Sequence, residues 1–143
     1  MPTDPTSNKN HERSPPSTSR AVFQLPPRAQ AARMGRQSVR HALAGAPAQV
    51  LERIELLVSE LVTNSVTHAA LSPEQNVDLK VVTRPGRVRV EVADPGSHFN
   101  PQGRRPTPGA ESRWGLFLLN EMADRWGVDR RDPGKTVWFE VDL

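Results

Sequence analysis

The chain contains no cysteine, and none of its segments has the roughly 18 consecutive apolar residues that a membrane-spanning helix requires. Disulfides, thiolate zinc sites and cysteine nucleophiles are therefore excluded, and a reducing cytosol is compatible with the composition. The first 20 residues also lack the apolar segment of a signal peptide. We therefore expect a soluble, cytoplasmic protein without a membrane partner.

A strong excess of charge of one sign is absent as well. The 19 Lys and Arg residues against 16 Asp and Glu residues give a net charge of +3, which is too even for a nucleic-acid-binding surface. Direct contact with nucleic acid is therefore not expected. The length of 143 residues and the hydrophobic content of 36% fit one compact domain with a single core.

Hydrophobic periodicity divides the chain into a tail and one domain. Residues 1–20 are rich in Pro, Ser, Thr and Asn and predict a disordered tail, so the domain is expected at 21–143. Its predicted order is β-α-α-β-β-loop-α-β-β, an α+β fold with a mixed, mostly antiparallel sheet and helices on one face. The predicted segments are strand 22–25, helix 28–43, a helix from Pro47, strands 77–83 and 88–92, a loop at 95–113, helix 114–123 ending near Trp126-Gly127, and strands 128–130 and 136–141.

The second predicted helix carries a polar row at every fourth position: Glu60, Asn64 and His68. This row borders the apolar arc of the helix, where the wall of a cleft would lie. It has two interpretations: the solvated edge of a surface helix, or a site for a metal-bound triphosphate. In the second, Asn64 supplies a neutral oxygen ligand for Mg²⁺, and Glu60 takes or orients the proton of an attacking group.

A second candidate residue ends the predicted hairpin. The valines of the strand at 88–92 share a face with Asp94, so the apolar face terminates in a carboxylate. Such a group is suited to accept the exocyclic N–H of an adenine, with Gly96 letting the base lie close to the backbone. The tripeptide Asp94-Pro95-Gly96 alone is typical of a turn, and Asp132-Pro133-Gly134 repeats it where a hairpin explains it fully.

The long loop leads directly into the third predicted helix, whose first turn contains Gly115. A helix N-terminus with an approachable backbone can bind an anion, and loops of this length in small domains are usually functional lids or disordered. Arg104, Arg105 and Arg113 either meet phosphate there or lie in solvent.

Taken together, five sequence motifs resemble the anti-sigma-factor serine/threonine kinase family, the RsbW-like proteins of the histidine-kinase-like ATPase superfamily. The resemblance covers residues 21–143 and implies a two-layer α/β sandwich of the Bergerat type. The motifs are E-L-V-x-N-x-x-x-H-A at 60–69, D-x-G at 94–96, W-G-L-x-L-L at 114–119, A-D-R-W-G-V at 123–128 and G-K-T-V-W-F-E at 134–140.

The resemblance also implies a site and partners. Family members bind ATP with Mg²⁺, sequester a sigma factor as homodimers, and phosphorylate a serine or threonine of an anti-anti-sigma antagonist. The implied roles are general base for Glu60, Mg²⁺ ligand for Asn64, closure of the same motif for His68, adenine acceptor for Asp94 with Gly96 beside it, and phosphate contacts for Arg113, Gly115 and Leu116.

Two positions depart from the family pattern. Arg113 stands where relatives commonly carry glycine, and Lys135 stands where many carry threonine; either change can weaken nucleotide binding. Three functions stay open: an anti-sigma-type protein kinase, a non-catalytic ATP-binding docking protein, and a free ATPase or other enzyme. Retention of both Glu60 and Asn64 favours the kinase, because a docking protein needs no general base.

Overall fold

The structure, a computed structural model, describes residues 17–96, 113–131 and 134–143. Its helices and strands follow the predicted order, and no helix among these residues is long and apolar enough to cross a membrane. The elements are β1 (Ser19–Leu25), α1 (Ala31–Ala42), α2 (Ala48–His68), β2 (Val77–Arg84), β3 (Arg87–Asp94), α3 (Arg113–Met122), β4 (Arg125–Arg131) and β5 (Gly134–Asp142).

The strands form one sheet in the order β1-β2-β3-β5-β4. All four described strand pairs are antiparallel, whereas the prediction of a mixed sheet allowed for a parallel pair. β2 and β3 are consecutive along the chain, as are β4 and β5, whereas α1 and α2 separate β1 from β2 in sequence. In the sheet, β5 lies between β3 and β4. This insertion places the start of β5 beside the end of β3.

The core lies between the sheet and the helices. Alternate residues of β2 and β3 are buried, as the period-2 pattern predicted. Together with Val137, Phe139 and Val141 of β5, they pack against the apolar arc of α2. The α+β prediction with helices on one face is therefore confirmed. The largest fully buried side chains include Phe139, Leu25, Ile54, Leu57, Leu79 and Leu119.

Charged side chains cover the opposite face of the sheet. The Arg89 guanidinium lies 4.1 Å from the ring centre of Trp138, and the Arg125 Nε donates a hydrogen bond of 2.7 Å to Glu140. Arg89 also donates to Glu140, at 3.3 Å. The hydrogen bond from Arg125 has the largest effect on the Glu140 carboxyl, and together with the one from Arg89 it holds the pKa of this group below its usual range. This face is thus stabilised by its own ion pairs.

Several element ends differ from the prediction, and three of these differences have an evident reason. β1 begins at Ser19, inside the predicted tail, because its pairing with β2 extends from Leu25 back to Ser19 opposite Thr83. α1 begins at Ala31 rather than at 28, because residues 28–30 form a turn after the two prolines. The predicted helix end at 126–127 is wrong: α3 ends at Met122, and both residues pair with β5 as part of β4.

Residues 1–16 of the predicted tail, most of the predicted loop at 95–113, and Asp132-Pro133 lie outside the described residues.

Candidate functional site

The polar row of α2 is placed unevenly by the structure. Asn64 is buried with 7% of its surface exposed, Glu60 is half-buried, and His68 is exposed in the last turn of the helix. Helical spacing accounts for the shared face, and the neighbouring apolar arc carries Asn64 into the protein. Glu60 and Asn64 therefore form a wall of the site, while His68 lies at its outer end.

The first turn of α3 packs directly on that wall. A Cβ atom added to Gly115 would lie 2.7 Å from Asn64 Nδ2 and 3.5 Å from Glu60 Cγ. Any larger residue would displace the Asn64 amide, so the contact requires glycine. The structure thereby brings together three of the predicted site residues.

The other end of α3 is also tied to α2. The Arg53 side chain donates a hydrogen bond of 3.1 Å from Nε to the backbone carbonyl of Met122. This carbonyl belongs to the last turn of α3 and has no partner within the helix, so a cation is favourable there. α3 is consequently held along α2 at both ends, which fixes Gly115 against Asn64.

Asp94 ends the buried face of β3 and is 6% exposed. The Ser65 hydroxyl on α2 donates a hydrogen bond to Asp94 Oδ2 at 3.3 Å, and Ser65 itself is 3% exposed. The sequence analysis missed Ser65. Its position could have indicated its role, because Ser65 lies four residues from both Leu61 and Ala69 and therefore falls on the apolar arc of the helix. A hydroxyl buried there needs a hydrogen-bond partner.

The turn after Asp94 is held by a second residue that the sequence analysis missed. The Gln75 Nε2 donates to the Gly96 carbonyl at 3.2 Å, and the Gln75 Oε1 accepts the backbone N–H of Ser72 at 2.9 Å. Gly96 is buried with φ at 60°, in the left-handed region. The backbone beside Asp94 is therefore fixed from the loop that precedes β2.

The start of β5 also belongs to the site. A Cβ on Gly134 would lie 2.6 Å from the Asp94 carbonyl oxygen, so Gly134 permits a close approach of the two strands. The turn interpretation of Asp132-Pro133-Gly134 was therefore incomplete. The next residue, Lys135, lies opposite Asp94 in the strand register.

These elements enclose a cleft with about 280 Å³ of empty space, including its open mouth. An apolar floor with a few polar groups at its rim is typical of small-molecule sites. Leu116 lines the cleft, while the side chain of Arg113 lies outside the described part of the chain. The described lining residues are Leu61, Asn64, Ser65, Gly115, Leu116, Leu119, Lys135 and Val137.

The donor set of the site fits a cation that is held jointly with a phosphate ligand. The described residues contain no group of three His, Asp or Glu side chains that could hold a metal alone. Within the same residues, no group hydrogen-bonds the buried Asn64 amide, so its oxygen is available as a ligand. Mg²⁺ is commonly bound through one or two protein oxygens together with substrate phosphates.

Comparison with known proteins identifies the domain family and a protein of the same fold. Residues 24–141 match the family described as histidine kinase-like ATPase domain. The crystal structure of the RsbU and RsbW domains of Rv1364c from Mycobacterium tuberculosis matches 85% of this chain with a TM-score of 0.67 and 22% identity. The chain spans 32% of the length of that protein chain, and a likeness at this identity shows a shared fold. No curated protein sequence gives a significant match.

Proposed function

The chain belongs to the histidine kinase-like ATPase domain family, and from that premise we propose that it binds ATP with Mg²⁺ and phosphorylates a hydroxyl group of a partner protein. The observation that carries the proposal is the contact of Gly115 with Glu60 and Asn64 beside a cleft whose lining residue Ser65 donates a hydrogen bond to Asp94. A phosphoryl-transfer site requires a base, a metal ligand, a phosphate cradle and a nucleotide anchor, and this arrangement offers one residue for each.

Binding is assigned to the walls of the cleft. The Asp94 carboxylate would accept the exocyclic N–H of adenine, while the hydrogen bond from Ser65 orients it and Gly96 lets the base approach the backbone. The N–H groups of the first turn of α3, next to Gly115, would face the phosphates. The Asn64 side-chain oxygen would hold Mg²⁺. Contacts from His68 and Arg113 stay predictions.

The bound Mg²⁺ and ATP would supply the γ-phosphoryl group and neutralise part of its charge. Glu60 then acts as the general base: it accepts the proton of the attacking serine or threonine hydroxyl while the new oxygen–phosphorus bond forms and ADP leaves. Its side chain is half-buried, and no described cation forms an ion pair with it, so the carboxylate is available for this step.

Partners are proposed from the RsbW-like motifs and supported by the shared fold with a protein that contains an RsbW domain. They are a sigma factor, which the protein would bind as a homodimer in the cytoplasm, and an anti-anti-sigma antagonist, which it would phosphorylate. Neither nucleic acid nor a membrane is proposed as a partner.

Calorimetry with ATP and Mg²⁺, followed by transfer of labelled γ-phosphate to an antagonist encoded nearby, tests the proposal. The expected result is saturable binding and incorporation of label into serine or threonine. Binding without transfer would replace the kinase with a non-catalytic docking function. Absence of heat and of thermal stabilisation at millimolar nucleotide would remove both functions.

A further inference from the structure

Lys135, which lines the cleft, places a positive charge beside Asp94. Asp94 and Lys135 are directly opposed in the β3–β5 register, and the preceding pair on that face, Val92 and Val137, is buried in the core. Opposed residues of antiparallel strands project to the same face with Cβ atoms about 4.5–5.5 Å apart. The lysine therefore shares the inner face with the carboxylate, and it lines the cleft together with Ser65.

The local backbone keeps the two residues in this relationship. Gly134 contacts the Asp94 carbonyl, so β5 cannot slide along β3 without a clash between their backbones. Slippage by one residue would also turn Val137 and Phe139 out of the core. The register thus keeps an acceptor residue, Asp94, and a donor residue, Lys135, side by side on the inner face, and Ser65 also orients the Asp94 carboxylate.

We propose that Asp94 and Lys135 together read the edge of the nucleotide base, and that Lys135 lets the site accept guanine as well as adenine. This inference rests on the proposed nucleotide binding. A carboxylate alone favours adenine, because it accepts the 6-amino N–H but would repel the O6 of guanine. With an ammonium beside it, the carboxylate accepts N1–H and the 2-amino group of guanine while Lys135 donates to O6.

Adenine can use the same pair in a different way. Asp94 accepts the 6-amino N–H, and Lys135 donates to the N1 acceptor. A threonine hydroxyl could make that second bond too, but it could not supply a charge to hold O6 against the carboxylate. Replacement of Lys135 by threonine should therefore penalise guanine far more than adenine, because the O6 would be left beside a carboxylate without a charged donor.

The test is the ratio of ATP to GTP affinity, measured by calorimetry with Mg²⁺ for the wild type, Lys135→Thr and Lys135→Met. ATP and GTP carry the same triphosphate, so any contact of Lys135 with phosphate cancels from the ratio. We expect the wild type to bind GTP within about tenfold of ATP, and both variants to raise the ratio by about tenfold or more. Inosine triphosphate, which keeps O6 and lacks the 2-amino group, should lose affinity in parallel with GTP.

Lys80→Thr is the matched control, because Lys80 lies on the other face of the sheet in an ion pair with Glu91. It should leave the ratio unchanged, and circular dichroism confirms that each variant is folded. A ratio that Lys135→Thr changes by less than about threefold overturns the inference while the proposed function stands. A wild type that binds ATP and rejects GTP also overturns it. A wild type that binds neither nucleotide overturns both.

Discussion

A methyl group on Gly115 would lie 2.7 Å from the amide nitrogen of Asn64, so the first turn of α3 rests on a side chain of α2 that is a proposed metal ligand. Glycine inside a helix costs about 1 kcal/mol relative to alanine, and here it allows the two helices to approach at the site. The position of Asn64 and the identity of residue 115 are therefore coupled.

Gly115→Ala tests this coupling. We expect a small change in the free energy of unfolding, because the gain in helix propensity opposes the clash. Affinity for ATP with Mg²⁺ should fall by at least about tenfold, since the Asn64 amide must move away from its ligand position. Thermal unfolding and calorimetry on the same preparations separate the two effects.

The double variant Gly115→Ala, Asn64→Ala supplies the control. Once the Asn64 amide is absent, the added methyl group has little to displace, so the double variant should bind ATP no more weakly than Asn64→Ala alone. Losses of affinity that simply add would show that Gly115 acts through its own contacts with nucleotide and not through Asn64.

Ser65→Ala removes the hydrogen bond to Asp94 without changing the charge of the site. The bond joins a hydroxyl to a buried carboxylate at 3.3 Å, so we expect a loss of about 1 kcal/mol of nucleotide binding, or about fivefold in affinity. Asp94→Asn should cost more, about 1.5–3 kcal/mol, because a charged acceptor is lost. Calorimetry measures both.

If Ser65 acts through Asp94, its replacement in the Asp94→Asn background should cost almost nothing further. Thr67→Ala, which removes an exposed hydroxyl from the same helix, should bind nucleotide as the wild type does. An equal loss for Thr67→Ala would point instead to a general effect on α2.

Sequence periodicity predicted the parts of the fold that local patterns determine. The alternating valines predicted that Asp94 lies on the buried face of β3. The four-residue separation of Glu60 and Asn64 predicted that they share one face of α2. Gly115 was located because a helix start after a long aperiodic segment is a local feature as well. These inferences needed no knowledge of which distant segments meet.

The remaining features depend on pairing between segments far apart in sequence. Nothing near Ser19 indicates that β1 extends that far, because its partners are in β2. Ser65, Gln75 and Lys135 acquire their places from contacts with the end of β3, which no periodicity reveals. The exposure of His68 likewise follows from where α2 leaves the core, whereas spacing alone grouped it with Asn64.

Glu140 should make stability depend on acid pH. Hydrogen bonds from Arg125 and Arg89 lower the pKa of its carboxyl in the folded protein below the ordinary value of 4.5. Its contribution is therefore complete above the unfolded-state pKa and is lost as the pH falls through the lower folded-state pKa. Glu140→Gln should lower the free energy of unfolding at neutral pH by about 1–3 kcal/mol and flatten its decline below about pH 4.5.

Denaturant unfolding at several pH values measures this, with Glu121→Gln as the control, since Glu121 is exposed on α3. The control should follow the wild-type profile closely. If Glu140→Gln keeps the full wild-type acid decline, other carboxyl groups such as Glu91, whose pKa is also lowered, are responsible.

Glu60→Gln separates phosphoryl transfer from nucleotide binding. Glutamine keeps the size and most of the hydrogen bonding of Glu60 but cannot accept the proton of the attacking hydroxyl, and removal of a general base costs about 10²–10⁴ in rate. Affinity for ATP with Mg²⁺ should change by less than about threefold, because the binding contacts are assigned to other residues. Asn64→Ala should differ by weakening binding itself, through loss of the metal ligand.

The matched control is Glu52→Gln, because Glu52 is exposed on α2 two turns before Glu60. Transfer of labelled γ-phosphate to the antagonist is followed in single-turnover experiments with saturating nucleotide, so that differences in affinity do not enter the rate. The kinase mechanism predicts that the transfer rate falls in Glu60→Gln and equals the wild-type rate in Glu52→Gln. If Glu60→Gln transfers phosphate at the wild-type rate, Glu60 is not the general base. Because nucleotide is saturating in this experiment, tighter or weaker binding cannot compensate for a loss of the proton acceptor in the measured rate.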